Sequence, residues 1–290
     1  MQADEAAASF EPHRGALRGL AYRMLGSLAE AEDAVQDAWL RWQAADRSAV
    51  RQPRAFLIRT VARLCLDRLK AAQAQRETYV GPWLPEPVLD DEVLTPEVAS
   101  ELADDVSYAL MLALERLSPL ERAAFLLHDV FDVEFGEIAE TLGRTPAACR
   151  QLAARAREHL RAARPRFRPS AQERSRVLQA FVGAVARGDL ASLTEVLAAD
   201  AVLYADGGGK AAAARRPIAG GARIAEFLLA VQRRAPRDLR FRPAAINGLP
   251  GLVLSARGRV IQTMAFEMRQ GRIAAIYVVR NPDKLKHLDS

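Results

Sequence analysis

Leu17, Leu20, Ala21, Met24 and Leu25 recur every three or four residues, the apolar stripe of a helix over about 12–26. Gly26 ends that stripe, and Ser27-Leu28-Ala29-Glu30 has the capping-box form that starts a second helix. Through AEAEDAVQDAWLRWQ, residues Ala31, Ala34, Val35, Ala38, Trp39 and Trp42 share one face, while Glu32, Asp33, Gln36 and Asp37 point largely elsewhere. Pro53 suits the first position of a third helix, which continues RAFLIRTVARLCLDRLKAAQAQR with Phe56, Leu57, Val61, Leu64 and Leu69 among its apolar positions. Three helices around one small core are expected.

Further along, Thr95-Pro96 and Ser118-Pro119 each pair an N-cap residue with a proline at the first helical position, so helices are expected at about 97–116 and 119–131. In VEFGEIAETLGRTPAACRQLAARAREHLRAA, residues Phe135, Ile138, Ala139 and Leu142 share a face, Gly143 closes the helix, Thr145 caps the next and Pro146 opens it. Helix, short glycine turn, helix is the helix-turn-helix pattern. The second of these helices buries Cys149, Leu152, Ala153, Ala156 and Leu160 and turns Arg150, Gln151, Arg155, Arg157 and Arg161 outward, which suits entry into a major groove. From about Ser170 the pattern changes. Helices at about 171–187 and 189–198 break at Gly188-Asp189, the strand AVLYA leads into DGGGK, and a helix covers about 221–234. LRFRPAAIN, LVLSA, VIQTMAFEMR and RIAAIYVVR read as strands, with hairpin turns at Arg257-Gly258 and Gln270-Gly271. Helices followed by antiparallel strands read as α+β.

Charge divides the chain further. Arg51 to Arg76 holds seven Lys or Arg and one acid, Glu77 to Asp105 nine acids and no Lys or Arg, and Gly143 to Arg168 eight Arg and one acid. Two basic segments therefore flank an acidic connector, as suits two polyanion-binding modules joined by a strap that avoids the polyanion or imitates it. The 290 residues, 50% of them hydrophobic, allow roughly two domains of ordinary size, or two small ones and a larger one. Cys65 and Cys149 lie in helical patterns without a CxxC spacing, and His13, His128, His159 and His287 are scattered, so neither a metal site nor a disulfide framework is expected. With no signal-peptide core and no apolar run of spanning length, the chain reads as cytoplasmic and without contact to a membrane.

AEDAVQDAWLRW and RAFLIRTVARLCLDRL resemble region 2, and LERLSPLERAAFLLHDVFDVEFGEIAETLGRTPAACRQLAARAR resembles region 4, of the extracytoplasmic-function (ECF) sigma factors of bacterial RNA polymerase. The resemblance implies that the helix of Asp33, Gln36, Asp37 and Trp39 docks on the clamp helices of the polymerase's largest subunit, and that region 4 meets the flap. It implies that Arg59, Arg63, Arg68 and Lys70 engage the −10 element and the melted strand, where capture needs cations and pockets for unstacked bases. Arg144, Thr145, Arg150, Gln151, Arg155 and Arg157 would read the −35 element. Two departures stand out: Leu64 replaces an asparagine common in the family, leaving the base-reading residue open, and Leu152-Ala153 replaces a frequent Arg-Leu, leaving open whether Arg155 serves the core or DNA. About eight neutralised phosphates would give promoter binding a salt slope of roughly −7.

WLPEP (Trp83, Leu84, Pro85, Glu86, Pro87), DGGGK (Asp206, Gly207, Gly208, Gly209, Lys210) and NPDKL (Asn281, Pro282, Asp283, Lys284, Leu285) sharpen the resemblance to the ECF subgroup with a fused SnoaL-like extension, the sigma J type. The implied architecture is multidomain: an all-α region 2 at 8–76, an acidic linker at 77–105, an all-α region 4 at 106–166, and an α+β SnoaL-like, NTF2-like cone at 170–290. The extension would regulate the sigma factor in cis by clasping the linker. On this reading Trp83 is a buried plug, DGGGK offers unshielded backbone amides, and Lys210 pairs with Glu86 or another linker acid. No cofactor or enzymatic activity is expected. The alternative is a ligand-sensing or enzymatic SnoaL-like domain fused to a helix-turn-helix regulator, with Tyr204, Asp206, Met264 and Phe266 lining a cone and Asp206 paired with His287.

Overall fold

The computed structural model describes residues 2–77, 79–89, 108–161 and 170–289. The chain divides into two compact units: a helical unit containing residues 2–77 and 110–161, and an α+β unit containing residues 79–89, 108–109 and 170–289.

The helical unit opens with α1 (Gln2–Leu25), α2 (Leu28–Ala44) and α3 (Pro53–Glu77). The Ser27 hydroxyl accepts the Glu30 amide at 3.3 Å, so α2 begins where the capping residues place it. α1 starts well before its expected position and runs through Pro12. Tertiary contacts outweigh the lost backbone bond there: Ala6 and Phe10 are buried, Phe10 meets the Trp39 ring edge-on at 5.1 Å, and Trp42 Nε1 donates to the Ala6 carbonyl.

The second helical set is α4 (Tyr108–Glu115), α5 (Pro119–Phe125), α6 (Phe135–Leu142) and α7 (Pro146–Arg161). The expected residues 97–107 lie outside the described residues. Ser118 and Glu121 form a complete capping box at the start of α5. The expected single helix to 131 instead changes to a wide π turn at Leu126–Val130, after which Asp132 takes a positive φ of 54°. Gly143, at φ 62°, supplies the left-handed residue that lets α6 turn into α7.

The α+β unit holds α8 (Ala171–Arg187), α9 (Leu190–Val196), β1 (Leu197–Asp206), β2 (Ile218–Ala219), α10 (Gly221–Gln232), β3 (Arg240–Ile246), β4 (Leu249–Ala256), β5 (Arg259–Arg269) and β6 (Arg272–Val279). The sheet order is β2-β1-β6-β5-β4-β3, with β1 and β6 parallel and every other neighbouring pair antiparallel. β1 starts at Leu197, inside the expected helix. Three hairpins carry the sheet. Arg257-Gly258 and Gln270-Gly271 turn as expected, and Asn247-Gly248 (φ 49° and 70°) forms a third, ending β3 before Asn247.

One face of this sheet is covered by helices. Phe181 and Ala184 of α8, Leu193 of α9 and Ile224 and Leu229 of α10 pack with Leu203, Met264, Phe266, Ile276 and Val278. Residues of the other parity, Tyr204, Asp206 and Tyr277, face away from that core. Tyr204 stacks on Tyr277, and Tyr277 stacks on Tyr108.

Candidate functional site

α7 presents one basic face. Cys149, Ala153, Ala156 and Leu160 are buried, Leu152 is partly covered, and Arg150, Gln151, Arg155 and Arg161 are exposed. Arg155 is therefore outside the core. Arg144 is exposed, and Thr145 accepts the Ala148 amide at 3.2 Å as the cap of α7. Arg157 bonds Asp129 at 2.8 Å, and the Arg150 guanidinium lies 6.0 Å from the Phe135 ring centre.

The basic residues of α3 divide among three environments. Lys70 is exposed beside Asp67. Arg68 bonds the Asp37 carboxylate at 2.7 Å and approaches Asp33 at 3.7 Å, joining a residue expected on DNA to two expected on polymerase. Gln36 is exposed and Trp39 half-buried on the same helix, next to an exposed Leu40. Arg63 donates to the carbonyls of Glu140 (2.8 Å) and Thr141 (3.3 Å) at the C-terminus of α6, where helix carbonyls lack internal partners. Arg59 lies 3.8 Å from both Glu137 and Glu140. Leu64 is 8% exposed and packs in the helical core, so it is not placed to read a base. A second tie joins the two helical sets: Arg122 of α5, almost fully buried, donates to the Met24 carbonyl of α1 and to Glu115 at 2.7 Å.

In the α+β unit three distant stretches meet at Asp206, whose side chain is 0% exposed. Its carboxylate accepts the Tyr79 hydroxyl (2.6 Å), the Leu84 amide (2.9 Å) and the Lys284 ammonium (2.8 Å). A buried carboxylate is tolerable only with such partners. Lys284 also donates to the Leu84 carbonyl and sits 4.1 Å from the Trp83 ring centre and 5.2 Å from that of Tyr79. Burial, reinforced by the bond to Asp206, pushes the Tyr79 phenol well above its ordinary value. Asn281 donates to the Tyr79 oxygen at 2.9 Å.

The connector continues across the sheet. The Val88 amide and carbonyl bond the side chain and backbone of Asn247, each at 2.9 Å, Leu89 bridges Ile246 in antiparallel fashion, and His287 Nε2 donates to the Pro87 carbonyl at 2.8 Å.

Several details depart from expectation. The completely buried residue of WLPEP is Leu84; Trp83 is half-buried, its ring laid against the Lys284 ammonium. Pro85, Glu86 and Pro87 are buried with Leu84. Lys210 pairs with Asp283 rather than with Glu86, and Lys210 with Lys286 holds the Asp283 carboxyl below its usual range. The glycines of DGGGK serve by their missing side chains. A Cβ on Gly208, which has φ 57°, would lie 2.3 Å from Asn281 Nδ2 and 3.0 Å from the Tyr79 oxygen, and one on Gly207 would lie 2.2 Å from the Ala211 carbonyl. Gly209 has Val80 against it. Pro282 and Leu285 close a short 3-10 turn that carries Lys284 inward. Asp206 and His287 are bound to different partners and form no acid–base pair. Met264 and Phe266 belong to the helix-covered core, and Tyr204 and Asp206 lie on the other side of the sheet, so the four residues expected to line a cone do not share one face.

Residues 10–75 match the Sigma-70 region 2 family and residues 107–160 the Sigma-70 region 4 family. The chain is 40% identical to the ECF RNA polymerase sigma factor SigJ of Mycobacterium tuberculosis strain H37Rv, over 95% of this chain and 91% of that one. The chain belongs to the ECF sigma factors. The probable ECF sigma factor SigI of M. tuberculosis strain CDC 1551 is 32% identical over 99% of this chain and 97% of its own. The crystal structure of M. tuberculosis SigJ superimposes with a TM-score of 0.76 at 37% identity, covering 97% of this chain and 98% of that one. As a sigma factor the protein binds RNA polymerase core and promoter DNA and acts in transcription initiation.

Three residues of this sigma factor's contacts were missed in the sequence, Tyr79, Asn247 and Arg122, and His287 was expected beside Asp206 but meets Pro87. Asn247-Gly248 was legible as a hairpin dipeptide. Nothing local marks the Tyr79 bond to Asp206 or the Arg122 bond to the Met24 carbonyl, because those partners lie 127 and 98 residues away.

Proposed function

We propose that the α+β unit restrains this sigma factor in cis by clasping the connector, and that it does so by binding rather than by catalysis. The observation that carries this reading is the Asp206 carboxylate, which takes connector and C-terminal partners at once. On this reading α7 reads the −35 element with Arg144, Thr145, Arg150, Gln151, Arg155 and Arg157. Arg59, Arg63, Arg68 and Lys70 serve the −10 element, and Asp33, Gln36, Asp37 and Trp39 serve the polymerase.

The two promoter elements are about 25 base pairs apart, roughly 85 Å along B-form DNA. Helices α3 and α6 touch in the helical unit through Arg59 and Arg63. The same two arginines cannot hold α6 and DNA together, so the described form is a resting form, and promoter engagement requires the α3–α6 contact to open. Release of the connector favours that opening.

The test is promoter-directed transcription with core polymerase. Glu137→Lys with Glu140→Lys repels Arg59 and should raise promoter binding and initiation; Arg150→Ala with Gln151→Ala should lower initiation only at promoters with a −35 element. If the first pair lowers initiation and the second leaves it unchanged, these assignments are wrong.

A further inference from the structure

The α+β unit carries a strongly basic surface outside the clasp. Between Arg233 and Arg242 the chain has five arginines, no lysine and one acid, Asp238. Arg233 and Arg234 follow α10, Arg237 lies in the loop, and Arg240 and Arg242 share one face of β3, which is the last strand of the sheet. All five are exposed, and among the described residues none has a carboxylate within ion-pair distance. The single acid is otherwise engaged: Asp238 accepts the backbone amide of Arg257 at 2.7 Å. That bond fastens the β4–β5 turn, with Arg257 and Arg259, beside the arginine loop. A cleft of about 500 Å³ lies there, walled by Arg240, Arg257 and Arg259 and also by Asp238 and Asp289, the last 3.8 Å from Arg259. Phe241, between two of the arginines, is 54% exposed.

A protective role for the edge strand explains part of this. Arginines and a proline at Arg240, Arg242 and Pro243 discourage strand pairing with another molecule. It does not account for Arg233, Arg234 and Arg237, which precede the strand. Clustered guanidinium groups without carboxylate partners fit phosphate, which arginine binds in bidentate fashion.

We propose that this face of the α+β unit is a third DNA contact of the sigma factor, a sequence-independent one that takes the phosphate backbone of duplex DNA. Phosphate neutralisation by three arginines contributes about 2.7 to the slope of log affinity against log salt.

The full-length protein bound to core polymerase is titrated with a 40-base-pair duplex lacking promoter elements, by fluorescence anisotropy across a salt series. Arg233→Ser, Arg234→Ser and Arg237→Ser together should reduce the slope by between about 2 and 3 and weaken binding at least tenfold at low salt. The corresponding Arg→Lys triple variant keeps the charge and should keep the slope, which separates phosphate binding from damage to the fold. An unchanged slope in the serine variant overturns the proposal. So does an effect confined to anionic vesicles or RNA, or one seen as faster amide exchange in residues 79–89, which would assign the arginines to the acidic connector.

Discussion

Leu84→Ala removes the side chain that the connector buries completely. Emptying a buried leucine site costs about 2–5 kcal/mol when the surroundings cannot collapse. On the proposed clasp Leu84 lies in a segment that undocks, so the loss is capped by the free energy of docking: a cavity costing more than docking contributes will simply release the connector. A loss of about 3 kcal/mol lowers the ratio of docked to released connector roughly 150-fold. Trp83→Ala should do less. Trp83 is only half-buried, and its contact with the Lys284 ammonium contributes about 1 kcal/mol, with some apolar area besides. Amide exchange reads this directly, because the Leu84 amide is held by Asp206 and the Val88 amide by Asn247. Exchange at both should accelerate by about two orders of magnitude in Leu84→Ala and by about one or less in Trp83→Ala, with the β6 amides unchanged. Promoter-directed transcription should rise in the same order. The reasoning fails if Trp83→Ala releases the connector more than Leu84→Ala does. It fails equally if residues 84 and 88 exchange in step with β6, since the connector would then be an inseparable part of the sheet.

Other consequences follow from single contacts. Gly208→Ala places a methyl group 2.3 Å from Asn281 Nδ2 at a positive φ, so it should break the Asn281–Tyr79 bond and weaken docking by about 2 kcal/mol or more, read by the same exchange experiment. Docking should also weaken as pH rises above 10, the ordinary tyrosine value. Below it Tyr79 is neutral both docked and released, and the contribution is full; above it the released phenol ionises while the docked one keeps its proton. Trp83 fluorescence should report this loss, and Tyr79→Phe should abolish the dependence. In the helical unit, Arg122→Met removes the buried donor to Glu115 and the Met24 carbonyl, which should cost about 3–5 kcal/mol in thermal unfolding. Adding Glu115→Gln should recover part of that cost.

The sequence by itself determined the elements and their chemistry. Ser27, Ser118 with Glu121, Gly143 and Thr145 act on backbone groups within four residues, so the starts of α2, α5 and α7 and the turn between α6 and α7 were legible locally. The outward arginines of α7 followed from its 3.6-residue period, and two hairpins from their glycine dipeptides. What touches what was decided by the tertiary structure. Arg59 and Arg63 were legible as cations, but only folding sets them against α6. Lys210 could pair with any nearby acid, and chain geometry gives it Asp283. Trp83 and Leu84 are neighbours of similar apolar character, and the lie of the connector decides that the leucine is covered and the tryptophan takes the lysine. The physical reason is range: caps, turns and periodicity act over a few residues, whereas burial and pairing at Asp206 join groups from 78 to 127 residues apart that no local pattern can relate.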